Sequence, residues 1–318
     1  MKCLKEILKK TFIFTIYRKI SDAKNHVNET YGQKSKRLSK KYPTEIYWGQ
    51  EGNDRILELL NSKTPVFITR YGGTELRVIY PQLIKQQVPD IWKSNIQDLS
   101  GFFPVNNKTL SDFANLYFES SKKIDAVAVW FNDGESKMIK KFCPKSLLVE
   151  LGVLNSFLHK NPYTQILKNK KVLVIHPFEN TILTQLPKRE KLFADKDVLP
   201  QCEITIIKAP QTVAGNTDGY KSWFDAYEDT CRKIKNADFD IALLGCGAYG
   251  LPLGAYIKSL GKTAIHIGGA LQLLFGIKGR RWTENDGYDK TWYNEYWISP
   301  LPEDRPVGAE KVEGATYW

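Results

Sequence analysis

Six short apolar, largely β-branched runs are spaced along this chain with room for helices between them: VFIT at 66–69, AVAVW at 126–130, VLVI at 172–175, ITII at 204–207, IALL at 241–244 and TAIHI at 263–267. The intervening stretches carry helical periodicity, as in FDAYEDTCRKIKNA at 224–237 and LPLGAYIKSLG at 251–261. Strand and helix alternating in this way predict an α/β fold, a Rossmann-like, mostly parallel sheet with helices on both faces. Ligands of such sheets bind beyond the carboxyl ends of the strands. The residues that follow each run are therefore where chemistry is to be sought.

With 318 residues the chain exceeds one average domain, but α/β cores of this size are common, so one large domain with an amino-terminal extension is expected. The divisions are a basic helix and linker at 1–41, the α/β domain at 42–290 and an aromatic, polar tail at 291–318 that could cover the site or a neighbouring subunit. A content of 42% hydrophobic and 25% charged residues is that of a soluble globular protein, and 12% aromatic residues suit aromatic-lined recognition surfaces. The formal charge of +11 favours an anionic partner. Nucleic acid is disfavoured, because the basic residues are spread along the chain and no recognised binding module is present.

Cys3, Cys143, Cys202, Cys231 and Cys246 make no CxxC pair and no zinc spacing, and read as free thiols of a reducing, cytoplasmic compartment. The segment LKEILKKTFIFTIYRKI at 4–20 has an apolar run only from Phe12 to Ile16, too short to span a bilayer. Its lysines and apolar positions suit either a helix lying on an anionic membrane surface, at the inner face of the plasma membrane, or a helix packed on protein.

Several strand ends carry polar groups. Arg70-Tyr71-Gly72-Gly73-Thr74-Glu75 follows the first run; its glycines permit a tight turn, and Arg70 could pair with Glu75 or face a ligand. His176-Pro177-Phe178-Glu179 follows the third, where His176 or Glu179 could serve as a general base or simply cap a helix. Lys208-Ala209-Pro210-Gln211-Thr212 is a polar turn, either a ligand loop or a surface connection. Gly245-Cys246-Gly247-Ala248-Tyr249-Gly250 is literally GxGxxG and opens a helix, a setting that favours phosphate at free N–H groups. A dinucleotide enzyme would need an acidic ribose anchor at the end of the next strand. That strand ends instead in His266-Ile267-Gly268-Gly269. Farther on, an apolar helix-like stretch containing Gln272 closes with Arg280, Arg281 and Trp282, which could grip a diphosphate and stack on a sugar or base. Asp133-Gly134-Glu135 is a DxE at another strand end, able to share a hard cation with a diphosphate.

Two of these segments, RYGGTEL at 70–76 and GCGAYGLPLGAYIKSLGKTAIHIGG at 245–269, together resemble the bacterial GT-D-type glycosyltransferases. The first motif of that family reads Arg-aromatic-Gly-Asp-Gly-Glu, and its late motif is a strand, a small-residue turn, a helix and a strand ending in Ile-Gly. GGALQLLFGIKGRRW and the tail VEGATYW also resemble uncharacterised proteins encoded with capsule and surface-polysaccharide genes. The resemblance implies transfer of a sugar from a nucleotide-diphosphate donor, a UDP-sugar foremost, to a glycan or lipid-linked acceptor of surface-polysaccharide biosynthesis. It implies Mn2+ or Mg2+ held through Glu75, with Gly73 standing where the family has its Asp; the DxE at Asp133 and Glu135, otherwise a solvated turn, could replace that Asp. Donor contacts then fall on Arg70, Gly72, Gly73, Gly245, Gly247, Ala248, Tyr249, Gly250, His266, Gly268, Gly269, Gln272, Arg280 and Arg281, with Glu75, His176 and Glu179 in catalytic roles. Two other readings stay open: a non-catalytic nucleotide- or glycan-binding scaffold, and an NAD(P)-linked oxidoreductase.

Overall fold

The computed structural model describes residues 31–62 and 65–318. The basic segment at 4–20 and Cys3 lie outside the described residues. The chain divides into two units, Met1–Tyr42 and Pro43–Trp318. In the first, Tyr31–Ser39 forms a helix.

The second unit is built on one sheet whose eight strands are all parallel: β1 (Ile46–Tyr47), β2 (Phe67–Thr69), β3 (Ala126–Val129), β4 (Leu147–Glu150), β5 (Lys171–His176), β6 (Glu203–Lys208), β7 (Ile241–Leu244) and β8 (Thr263–His266). Their order across the sheet is β1-β4-β3-β2-β8-β7-β5-β6. The six apolar runs are β2, β3, β5, β6, β7 and β8. Strands β2, β3, β7 and β8 are buried at every position, which is why they read as continuous apolar runs. At the edge, β6 stays half exposed and alternates Glu203, Thr205 and Lys208 with isoleucines.

Strands β1 and β4 carry too little apolar signal to be read in advance. β4 supplies three apolar residues and then Glu150, whose carboxylate accepts the Gly152 N–H at 2.8 Å and turns the chain out of the sheet. Its strand character comes from pairing with β3 and β1.

Strand order fixes where a ligand can sit. From β5 the chain moves outward to β6, whereas from β7 it moves the other way to β8. Adjacent strands whose connections depart in opposite directions leave a crevice between them, so the β5/β7 boundary is the topological switch point. His176 and Gly245 stand at its two sides.

The stretch after β8 is not the single helix its apolar pattern predicts. Leu271–Leu274 makes one turn, Gly276 takes φ +65°, Ile277 bridges Ile298, and a new helix runs Arg280–Asp286. The backbone breaks because Gln185 and Leu192 crowd Gly276; a Cβ there would lie 2.5 Å from Leu192. The segment after residue 300 packs on the same unit through Asp304, which is fully buried. Its carboxylate accepts from the Thr181 N–H at 2.7 Å, the Thr181 hydroxyl at 2.6 Å and the Asn180 side-chain amide at 3.0 Å. An acidic group from distant sequence thereby caps the helix Glu179–Gln185.

Candidate functional site

A cavity of about 750 Å³, open to solvent, lies over the carboxyl ends of β2, β5, β6 and β7. Its walls come from strand ends and two later segments: Arg70 after β2, His176 to Phe178 after β5, Ala209 to Val213 after β6, Gly245 to Gly247 and Tyr249 after β7, and Gly269 with Gln272 after β8. Leu99 and Ser100 close one side, and Val312, Tyr317 and Trp318 from the tail close another.

Three kinds of donor face this space. Among the described residues the Arg70 guanidinium has no carboxylate partner and no hydrogen-bond acceptor; it lies 5.4 Å from the Trp130 ring and passes over Gly268, where a Cβ would stand 2.6 Å from its Nε. Gly268 has φ +80°, so both its backbone and its missing side chain let the cation through. Second, His176 is 2% exposed. Its Nδ1 accepts the Phe178 N–H at 3.0 Å, so the neutral ring carries its proton on Nε2, which has no partner among the described residues. Burial pushes its pKa down to about 3, and the ring is neutral near pH 7. Third, the turn after β7 brings the Gly247 N–H, which has no acceptor among the described residues, to the cavity at the entrance to the helix Gly250–Ser259. Gly247 is exposed, at φ +55°, with nothing within 4 Å of a built Cβ.

His176 is therefore placed as a hydrogen-bond donor and not as the general base expected of it, since its one lone pair is already used. Glu179 does not line the cavity; it opens the capped helix. Glu75 is 7% exposed and accepts from the Ser100 hydroxyl at 2.8 Å. It forms no ion pair with Arg70 and touches the cavity only through Ser100.

The DxE pair does not assemble. Glu135 is fully buried, and both its oxygens accept from the Trp130 N–H, at 3.2 and 3.1 Å, while Asp133 is exposed. Gly73, where the resembled family has Asp, faces Asn132, whose Oδ1 would be 3.2 Å from a Cβ there. Among the described residues no three His, Cys, Asp or Glu side chains gather as a metal-binding group. The residues present thus do not fit a divalent-cation site.

The basic cluster after β8 also sits elsewhere. Arg280 is exposed, pairs with Glu284 at 3.4 Å and donates to the Gly314 carbonyl. Arg281 donates to the Tyr317 hydroxyl at 2.9 Å and lies 5.5 Å from the Trp130 ring, on which Arg70 also packs. Trp282 is buried in the core and offers no face to a ligand. Of the other expected contacts, Gly72, Ala248, Gly250, His266 and Gly268 support the wall from behind. A Cβ at Gly250 would collide with the His266 ring, and His266 Nδ1 pairs with the Thr69 hydroxyl at 2.9 Å. Ser100, Trp130 and Cys246 had no signal in the sequence. The four described cysteines are unpaired, and burial pushes the Cys246 thiol up to about 12.

No family model and no curated protein matches this chain. Three solved structures resemble it in fold. One is a selenomethionine-substituted domain of unknown function 1792, 12% identical, covering 86% of this chain and 96% of that one with a TM-score of 0.43. Another is the same domain described as having a distinct glycosyltransferase fold, at 13%, 85%, 98% and 0.44. The third is a glycosyltransferase (DUF1792) from Streptococcus sanguinis, at 12%, 81%, 100% and 0.39. Identities and TM-scores this low leave a likeness of overall fold, from which no residue's role is transferred.

Proposed function

We propose that this protein is a glycosyltransferase that moves a sugar from a nucleoside-diphosphate donor, a UDP-sugar foremost, to a surface-polysaccharide or lipid-linked glycan. The observation that carries the reading is the cavity at the switch point, which presents an unpaired guanidinium, a neutral imidazole N–H and the free Gly247 N–H, with no side-chain carboxylate among the described residues that line it. That set suits a diphosphate. Arg70 supplies the charge-assisted hydrogen bonds, and the turn at Gly247 supplies a fixed backbone donor. Phe178, Tyr317 and Trp318 give the apolar wall a base or sugar needs.

In the transfer, the bond from the anomeric carbon to the diphosphate oxygen breaks and its electron pair stays on the diphosphate. The acceptor hydroxyl oxygen forms the new bond, and its proton leaves through Ser100 to Glu75. Donors already aimed at the oxygen that gains charge lower the barrier without reorganising. The basic segment at 4–20 would hold the protein at an anionic membrane surface where lipid-linked acceptors reside; among the described residues no helix is long and apolar enough to cross one.

A non-catalytic nucleotide-binding scaffold is favoured by one observation, that no side-chain carboxylate of the described residues lines the cavity directly. The same observation opposes the nicotinamide reading, which needs an acid on the ribose. Purified protein screened by thermal shift against UDP, GDP, CDP and NAD(P)H separates these. A ligand at 100 times its Kd raises stability by about 2.7 kcal/mol. Stabilisation by a nucleoside diphosphate, with UDP release from a UDP-sugar in the presence of acceptor, supports the transferase. Stabilisation without turnover points to the scaffold, and stabilisation by nicotinamide cofactors alone overturns both.

A further inference from the structure

Resting on the nucleoside-diphosphate reading, we infer that the site holds its diphosphate without a divalent cation, with Arg70 supplying the positive charge. A hard cation shared with phosphates is usually tied to the protein through one or two carboxylates. Twenty of the described residues line the cavity, and among these Arg70 is the only charged side chain. Each nearby carboxylate is committed elsewhere: Glu135 is sealed on the Trp130 N–H, and Glu75 is buried behind Gly72 on the Ser100 hydroxyl. At Gly73 there is no side chain, and Asn132 occupies the adjoining space.

Arg70, by contrast, is a cation without an anion. It is half-buried at the wall of an open cavity, and a guanidinium has the fork geometry to meet two phosphate oxygens. His176 Nε2–H, 2% exposed and unpartnered, adds a neutral donor from the opposite side of the switch point. Trp130 packs against Arg70, 5.4 Å from its ring, while the second guanidinium on that ring, Arg281, is already paired with Glu313 at 3.5 Å and so leaves Arg70 as the cation open to an anion.

The test is isothermal titration of the wild-type protein with UDP and with inorganic pyrophosphate, each in EDTA and each in Mn2+. The expected result is a Kd in EDTA within about twofold of that in Mn2+, and in EDTA a loss of about tenfold or more in Arg70→Ala, with partial recovery in Arg70→Lys. Binding that appears only with Mn2+ overturns this inference and leaves the transferase reading standing. Absence of binding by either ligand in both buffers overturns both. Because the metal comparison uses the wild-type chain, it is decisive even if an Arg70 variant is unstable.

Discussion

Arg70 and His176 each bring unpartnered donors to one cavity, and the imidazole makes the fold sensitive to pH. Burial holds the imidazole neutral in the folded chain, down to about 3, whereas its ordinary value is 6.5. Between those values the unfolded chain takes up a proton that the folded chain refuses. The stability this group contributes is therefore complete above about pH 6.5 and is lost as pH falls toward about 3. Burial, then the nearby Arg70, depresses His266 in the same direction. A His176→Asn variant, which can still accept the Phe178 N–H but does not titrate, should lose melting temperature less steeply than wild type between about pH 6.5 and 4. Parallel slopes would show that His176 carries none of the acid sensitivity. Gly245 sits against the same ring: a Cβ there would lie 2.5 Å from His176 Cδ2 and 3.0 Å from both the Gly268 carbonyl and Leu271 Cβ. Gly245→Ala should cost about 1–3 kcal/mol, read by urea denaturation, because two of those neighbours are backbone or closely packed atoms that cannot swing aside.

At the scale of elements, the helix Glu179–Gln185 depends on a cap that its own sequence does not contain. Phe178 at its N-cap provides no side-chain acceptor, and Asp304 provides it from 123 residues away in sequence. Asp304→Ala leaves the buried Thr181 N–H and hydroxyl without partners, so the loss should reach about 2 kcal/mol, the upper end for a cap. Hydrogen exchange should then rise both in 179–185 and in 302–318. The Asp304 carbonyl also accepts from Gln211 at 2.8 Å and from the Trp318 indole at 3.2 Å, and both of those residues line the cavity. The same variant should therefore weaken nucleotide affinity, and unchanged binding would show that the tail merely overlies the site. Legibility of elements followed the same physics. Strands buried on both faces announced themselves as apolar runs. The strands β1 and β4 did not, because two or three apolar residues bounded by polar ones become a strand only when a neighbour supplies hydrogen-bond partners.

At the scale of the whole molecule, the charge of +11 should draw an anionic donor toward Arg70, the unpaired cation among the described residues of the cavity wall. Raising ionic strength from about 0.05 to about 0.5 M should slow association measured by stopped flow, with less effect on dissociation, which the short-range Arg70 contacts govern. Equal salt effects on both rates would locate the charge effect inside the site. The sequence by itself determined the alternating strands and helices, hence a parallel sheet, and it put Arg70, His176 and Gly245 to Gly247 at strand ends where ligands bind. Those properties are local, set by burial and by turn chemistry. Only the tertiary structure decided which polar groups reach the cavity. Placing β2 beside β8 sets Arg70 over Gly268, nearly two hundred residues on, while Glu135 turns inward onto Trp130, Arg280 and Arg281 turn to the tail, and Trp318 returns to close the wall. Such pairings depend on strand order and on which backbone donors are left to satisfy, and neither is written in the pattern of any single segment.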